Sequence, residues 1–184
     1  SFANMNRILL LLRRDELVNS DNENIVIFGL KQIKYILQDV SLALCCGILI
    51  ENIYAAIAYL VSFWLLRIYA GGYHAKTEKL CKYISLSGIV FAILIFIPLK
   101  LHVFVFFCSL LIALWTLYMK SPIAAPNKPV NERERIVYRR RSMFIAVSEI
   151  FFCTFFLILQ KFELANAVLV ALLQVALGLL KGNK

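Results

Sequence analysis

Two residues of this chain have the types and spacing for covalent chemistry: His74 and Cys81, seven apart in the stretch RIYAGGYHAKTEKLC, residues 67–81. The thiolate is the attacking form of cysteine, and a neighbouring imidazole can take its proton or hold it as an ion pair. Lys76, Lys79 and Lys82 add positive potential around the sulfur. On spacing alone, a loop histidine beside an incidental interfacial thiol is the plainer reading.

Geometry sets a condition on the pair. Seven residues fall about 20° short of two helical turns, so a continuous helix would put both side chains on one face, with backbones about 10 Å apart along the axis. Helical side chains lean toward the N-terminus, so Cys81 would lean toward His74 while His74 leaned away. Direct proton transfer needs about 3 Å, so a working pair requires a bend. Gly71-Gly72 supplies a break just before His74, and Thr77 is suited to cap a new helix. We therefore expect His74 in a turn folded back toward Cys81, with regular helix from near Thr77. A pair shared between two subunits is the alternative.

These residues lie between strongly apolar runs. Of 184 residues, 61% are hydrophobic and 17% charged, and the mean hydropathy is +0.78. Soluble domains are nearer half apolar and a quarter charged, so the expected fold class is an all-α integral membrane protein. Uncharged stretches fall at Val40–Ile50, Asn52–Leu66, Tyr83–Leu99, Leu101–Met119, Ser142–Gln160 (with one Glu149) and Leu164–Leu180. A span wants about 20 residues, which the last four reach or approach. The first extends back to Ile25 if Lys31 and Lys34 snorkel; the second needs Ile68, Tyr69 and Ala70. The reading is about six transmembrane or membrane-embedded helices in a single membrane domain, 1–184. Within it, 1–22 forms an N-terminal interfacial helix, 67–82 a cytosolic-face catalytic segment, and 120–141 a basic cytosolic loop. Prolines at 122, 126 and 129 keep that loop non-helical. No cleavable signal peptide is read, because charges at 13–16 follow the short run Ile8–Leu12.

The basic residues orient the six spans. With the N-terminus in the cytosol, 18 of the 20 Lys and Arg fall inside, leaving Lys100 and Lys161 outside. Both termini and the 67–82 segment are then cytosolic. Basic loops facing anionic lipid also account for the net charge of +9 without nucleic acid. The five cysteines show no metal-ligand spacing or disulfide framework, and no cofactor motif is present.

Glu78, four residues from His74, reads as a solvated carboxylate pairing with Lys82. Asp39 and Glu149 sit in or beside apolar runs, where ionisable groups are costly and often functional. Glu149 is the better of the two, either packing helices or holding a substrate. His102 reads as a headgroup-level residue, and Arg139–Arg141 as a topology anchor.

Arg67, Gly71-Gly72, His74-Ala75 and Cys81 stand as R-x3-GG-x-HA-x5-C between apolar helices, with an FGLKQI segment upstream and the loop SPIAAPNKPV downstream. This pattern resembles the accessory gene regulator protein B (AgrB) family, membrane cysteine endopeptidases of peptide quorum sensing, over nearly the whole chain. The resemblance implies removal of the C-terminal tail of an amphipathic AgrD-like propeptide at the cytosolic face of the bacterial cytoplasmic membrane. Cys81 would be the nucleophile and His74 its base. A Cys or Ser of the peptide would then open the acyl-enzyme to a thiolactone or lactone. Arg67 and Gly72 match supporting positions of the family, with Gly71 beside them. The family's basic loop cluster is matched only at Lys128, since Pro126 and Asn127 occupy its other positions. The partners implied are the propeptide and the lipid bilayer, and a small bundle with short front helices leaves room for a homodimer. A small transporter using Asp39 and Glu149, and a non-enzymatic peptide scaffold, are the rival functions.

Overall fold

A computed structural model of the chain describes residues 23–73, 77–123 and 131–182. The expected interfacial helix at 1–22 lies outside the described residues. The chain divides into two compact units, Ser1–Ser41 and Leu42–Lys184. One helix, α1 (Glu23–Leu49), crosses that boundary; the described part of the first unit is its N-terminal stretch.

The second unit adds α2 (Ile53–Ala70), α3 (Glu78–Phe91) running on into a π-helical turn (Ala92–Phe96), α4 (Val103–Lys120), α5 (Glu132–Ile158) and α6 (Phe162–Lys181). Six helices among the described residues are long and apolar enough to cross a membrane. The chain is an all-α membrane protein. Backbone hydrogen bonds must be closed internally where no water is available, which is why the spans are helical. The two short runs lengthen as the sequence suggests, to spans at Val26–Leu49 and Ile53–Ala70.

Helix α6 is the centre of the second unit. It is apolar on nearly all sides, and Ala165 through Leu172 are buried without interruption. Its alanines at 165, 167, 171 and 176 admit close neighbours, and close packing is what joins helices where lipid is as apolar as protein. Helix α2 runs parallel to it. Asn52 caps α2 by accepting from the Ala55 N–H at 3.0 Å and donates to Glu163 in the first turn of α6. Deeper along the pair, the Tyr59 hydroxyl donates to Gln174. Asn166 ties in the end of α3 by donating to the carbonyls of Ile97 at 2.9 Å and Leu99 at 2.7 Å.

At the opposite, basic end, Ile123 donates to the Ala70 carbonyl at 3.1 Å and forms an isolated bridge with Gly71. Ser121 and Ser142 hydroxyls meet at 2.8 Å. Arg139 donates to the Tyr118 carbonyl at 3.2 Å with its guanidinium 5.1 Å from that ring, and Arg141 sits 5.5 Å from the Tyr69 ring.

One expectation is corrected here. The basic loop does not run to residue 141, because α5 begins at Glu132. The prolines stop at 129, and the Glu134 carboxylate accepts from the Asn131 N–H at 3.1 Å, closing the first turn. Helix α5 therefore carries its arginines on regular helix before the apolar run starts.

Candidate active site

The site begins where α2 stops. Gly71 caps the helix at φ 73°, its N–H reaching the Arg67 carbonyl at 3.2 Å, and Gly72 follows at φ 149°. Both angles are open to glycine and strained for any other residue. Close approach makes the same demand. A Cβ at 71 would collide with the Ile123 carbonyl oxygen, and one at 72 with the guanidinium of Arg67.

Arg67, in the last turn of α2, folds back over this loop. Its Nη2 donates to the Tyr73 carbonyl at 2.7 Å and its Nη1 to the Gly71 carbonyl at 3.4 Å. Gly178 of α6 makes room on the other side; a Cβ there would stand 3.3 Å from Nη1 and 3.6 Å from the Tyr73 nitrogen. The planar fork of a guanidinium suits this double attachment better than a point charge would. The guanidinium is within electrostatic reach of Cys81.

Cys81 is half-buried in the first turn of α3. Thr77 caps that helix as expected, its Oγ1 accepting from Leu80 N–H at 3.2 Å and its carbonyl from Cys81 N–H at 3.0 Å. The sulfur therefore lies near the positive end of the helix dipole. The break at the glycines and the helix start at Thr77 fall where the sequence places them. His74 and Lys76 between them lie outside the described residues, as does Lys128. What the structure describes is the residue before His74, whose carbonyl Arg67 holds.

The structure brings together Arg67, Gly71 and Gly72, with Cys81 within electrostatic reach of the guanidinium. Glu149 is elsewhere. It belongs to the buried stripe Ser142, Ala146, Glu149 and Cys153 of α5, about 10 Å along the axis from the Ser121–Ser142 contact. Both its carboxyl oxygens are buried without a hydrogen-bond partner among the described residues. His102 caps α4 by accepting from the Phe104 N–H at 3.3 Å. Ile123 and Gly178 contribute to the site and were missed. A lone glycine within an apolar helix was the available signal for Gly178, since it marks close approach. Among the described residues no group of three or more His, Cys, Asp or Glu side chains could hold a metal ion.

Fold and site together define a polytopic α-helical membrane protein with an arginine-braced glycine loop and a half-buried cysteine at the start of the next helix. The chain belongs to the accessory gene regulator B (AgrB) family, whose sequence model matches residues 5–179. That family is associated with the processing of autoinducing peptides in quorum sensing, which makes a propeptide the substrate class and the membrane the place of work. No curated protein and no solved structure matches the chain.

Proposed function

We propose that this protein is a membrane cysteine endopeptidase that removes the C-terminal tail of an amphipathic propeptide and passes the remainder on to ring closure. The observation that carries this reading is the position of Arg67, which holds the carbonyl immediately before His74 and lies within electrostatic reach of Cys81. One side chain thereby anchors the residue before the candidate base and places its charge within reach of the candidate nucleophile.

In the first step His74 takes the Cys81 thiol proton as the sulfur attacks the scissile carbonyl. The tetrahedral intermediate collapses, the C–N bond breaks, and His74 returns the proton to the departing amine of the tail. A thioester to Cys81 remains. A thiol or hydroxyl within the retained peptide then attacks it, closing the ring and releasing Cys81 as a thiol. Thioester capture conserves the energy of the cleaved amide for cyclisation only where water is excluded. A site at the end of a helical bundle, at the lipid boundary, suits that need. The charge distribution supports a cytosolic location for this end and for both termini.

The test is co-expression with a candidate amphipathic propeptide that carries an internal Cys or Ser. Wild type should release the tail, and Cys81→Ala and His74→Ala should not. Mass spectrometry should find a thioester adduct on Cys81 when the peptide's internal Cys or Ser is replaced by Ala. Tail release by Cys81→Ala at the wild-type rate would overturn the reading in favour of a transporter or scaffold.

A further inference from the structure

Helix α3 carries Cys81 on an end with little support. From Lys79 to Gly88 no residue is fully buried, and Leu80, Tyr83 and Ile84 are exposed. Burial starts at Ile89 and continues through Ala92, Ile93 and Ile97. Asn166 fixes that far end through the Ile97 and Leu99 carbonyls. The Cys81 half therefore projects from an anchored half.

At the boundary between the halves stands one polar contact. The Gln174 carboxamide nitrogen lies against Gly88, where any Cβ would collide with it. The oxygen of the same carboxamide accepts from the Tyr59 hydroxyl on α2. Tyr59 is completely buried and stacks on Phe63, ring centroids 5.9 Å apart. The carboxamide is thus held by α2 and presented to α3. Gly88 is seven residues beyond Cys81, on the same face and about 10 Å along the axis. On α6, Gly178 lies one turn beyond Gln174 and abuts Arg67. The face of α3 that meets Gln174 is therefore the face that presents Cys81 to Arg67.

We infer that Gln174 is a positioning residue, whose carboxamide, fixed by Tyr59 and seated on Gly88, sets how closely the Cys81 end of α3 approaches Arg67. For the role of this approach in peptide cleavage, the inference rests on the reading of Cys81 as nucleophile. The lever is simple. If α3 moves as a rod anchored at Ile97, a displacement of ~1 Å at Gly88 becomes roughly 2 Å at Cys81. Errors of that size at a reacting atom cost about 100-fold in rate. Glycine at 88 is what allows the carboxamide to sit directly on the backbone.

The test reads geometry without requiring catalysis. In full-length protein with Cys45, Cys46, Cys108 and Cys153 replaced by Ala, Cys81 is alkylated with iodoacetate and, separately, with neutral iodoacetamide. Proximity to Arg67 favours the anionic reagent, and Arg67→Gln sets the floor of the ratio. Gly88→Val should lower the iodoacetate-to-iodoacetamide ratio part of the way to that floor, which for one nearby charge in water lies about threefold below wild type. Gly88→Ala, whose methyl meets only the end of a flexible side chain, should lower it less. Adding Gln174→Ala to Gly88→Val should restore the ratio, because the colliding group is gone. Loss of fold would raise both rates together and leave no such suppression. An unchanged ratio in Gly88→Val, or no recovery in the double variant, overturns the inference. If Cys81→Ser cleaves the propeptide normally, the catalytic reading fails while the ratios still decide the geometry.

Discussion

The Nη2 of Arg67 donates to the carbonyl oxygen of Tyr73 at 2.7 Å, so the last turn of α2 holds the residue that precedes His74. The same guanidinium reaches the Gly71 carbonyl and lies within electrostatic reach of Cys81. Arg67→Lys keeps a positive charge but loses the fork that spans two carbonyls. It should lower kcat for tail release about 100-fold while leaving membrane insertion and thermal stability near wild type. A fully active Arg67→Lys would show that charge alone suffices. The measurement is tail release per mole of purified protein.

Gly72 tests the same brace from the opposite side. Its φ of 149° and the guanidinium packed over it leave no room for a methyl group. Gly72→Ala should therefore cost as much activity as Arg67→Lys, and the double variant should be no worse than either. Independent sites would instead add their losses.

Thr77 holds the start of the helix that presents Cys81. Removing its side-chain cap with Thr77→Ala should destabilise the first turn by about 1 kcal/mol and reduce kcat several-fold. Thr77→Ser keeps the oxygen that accepts from Leu80 and should restore most of the loss. Equal activity in all three would remove the capped turn from the mechanism.

Glu149 makes the opposite prediction. Its carboxyl is buried on α5 with no hydrogen-bond partner among the described residues, which is a cost to folding and not a support. Glu149→Leu should process propeptide normally and raise resistance to denaturation by about 1–3 kcal/mol. Failure to process, with the fold intact, would restore Glu149 to a substrate-supporting role. Abolished ion flux with intact processing would instead favour a transport function for this carboxyl.

Much of the site was legible because its signals are local. A glycine pair next to polar residues favours a helix stop, and Thr77 four residues before Cys81 is suited to cap by its own chemistry. Hydropathy likewise located the six helices, including the two that needed their flanks. The extent of the 120–141 loop was misread because proline was weighed and the Asn131–Glu134 start signal was not. The purpose of Arg67 was hidden for a different reason. A side chain that turns back on the loop after its own helix leaves no periodicity to detect.

By itself the sequence determined that the chain is helical and membrane-spanning, where its helices break, and which residues can do thiol chemistry. These follow from hydropathy, backbone freedom and side-chain type, each a property of a short stretch. Tertiary structure alone decided that α2 and α6 run side by side, that Gly72 and Gly178 enclose Arg67, and that Gln174 seats on Gly88. In lipid, apolar faces have little preference among apolar neighbours. The partners are chosen where small residues let backbones approach and where buried polar groups find each other, and the pairings of Arg67 with Gly178, Tyr59 with Gln174 and Gln174 with Gly88 join positions more than 80 residues apart.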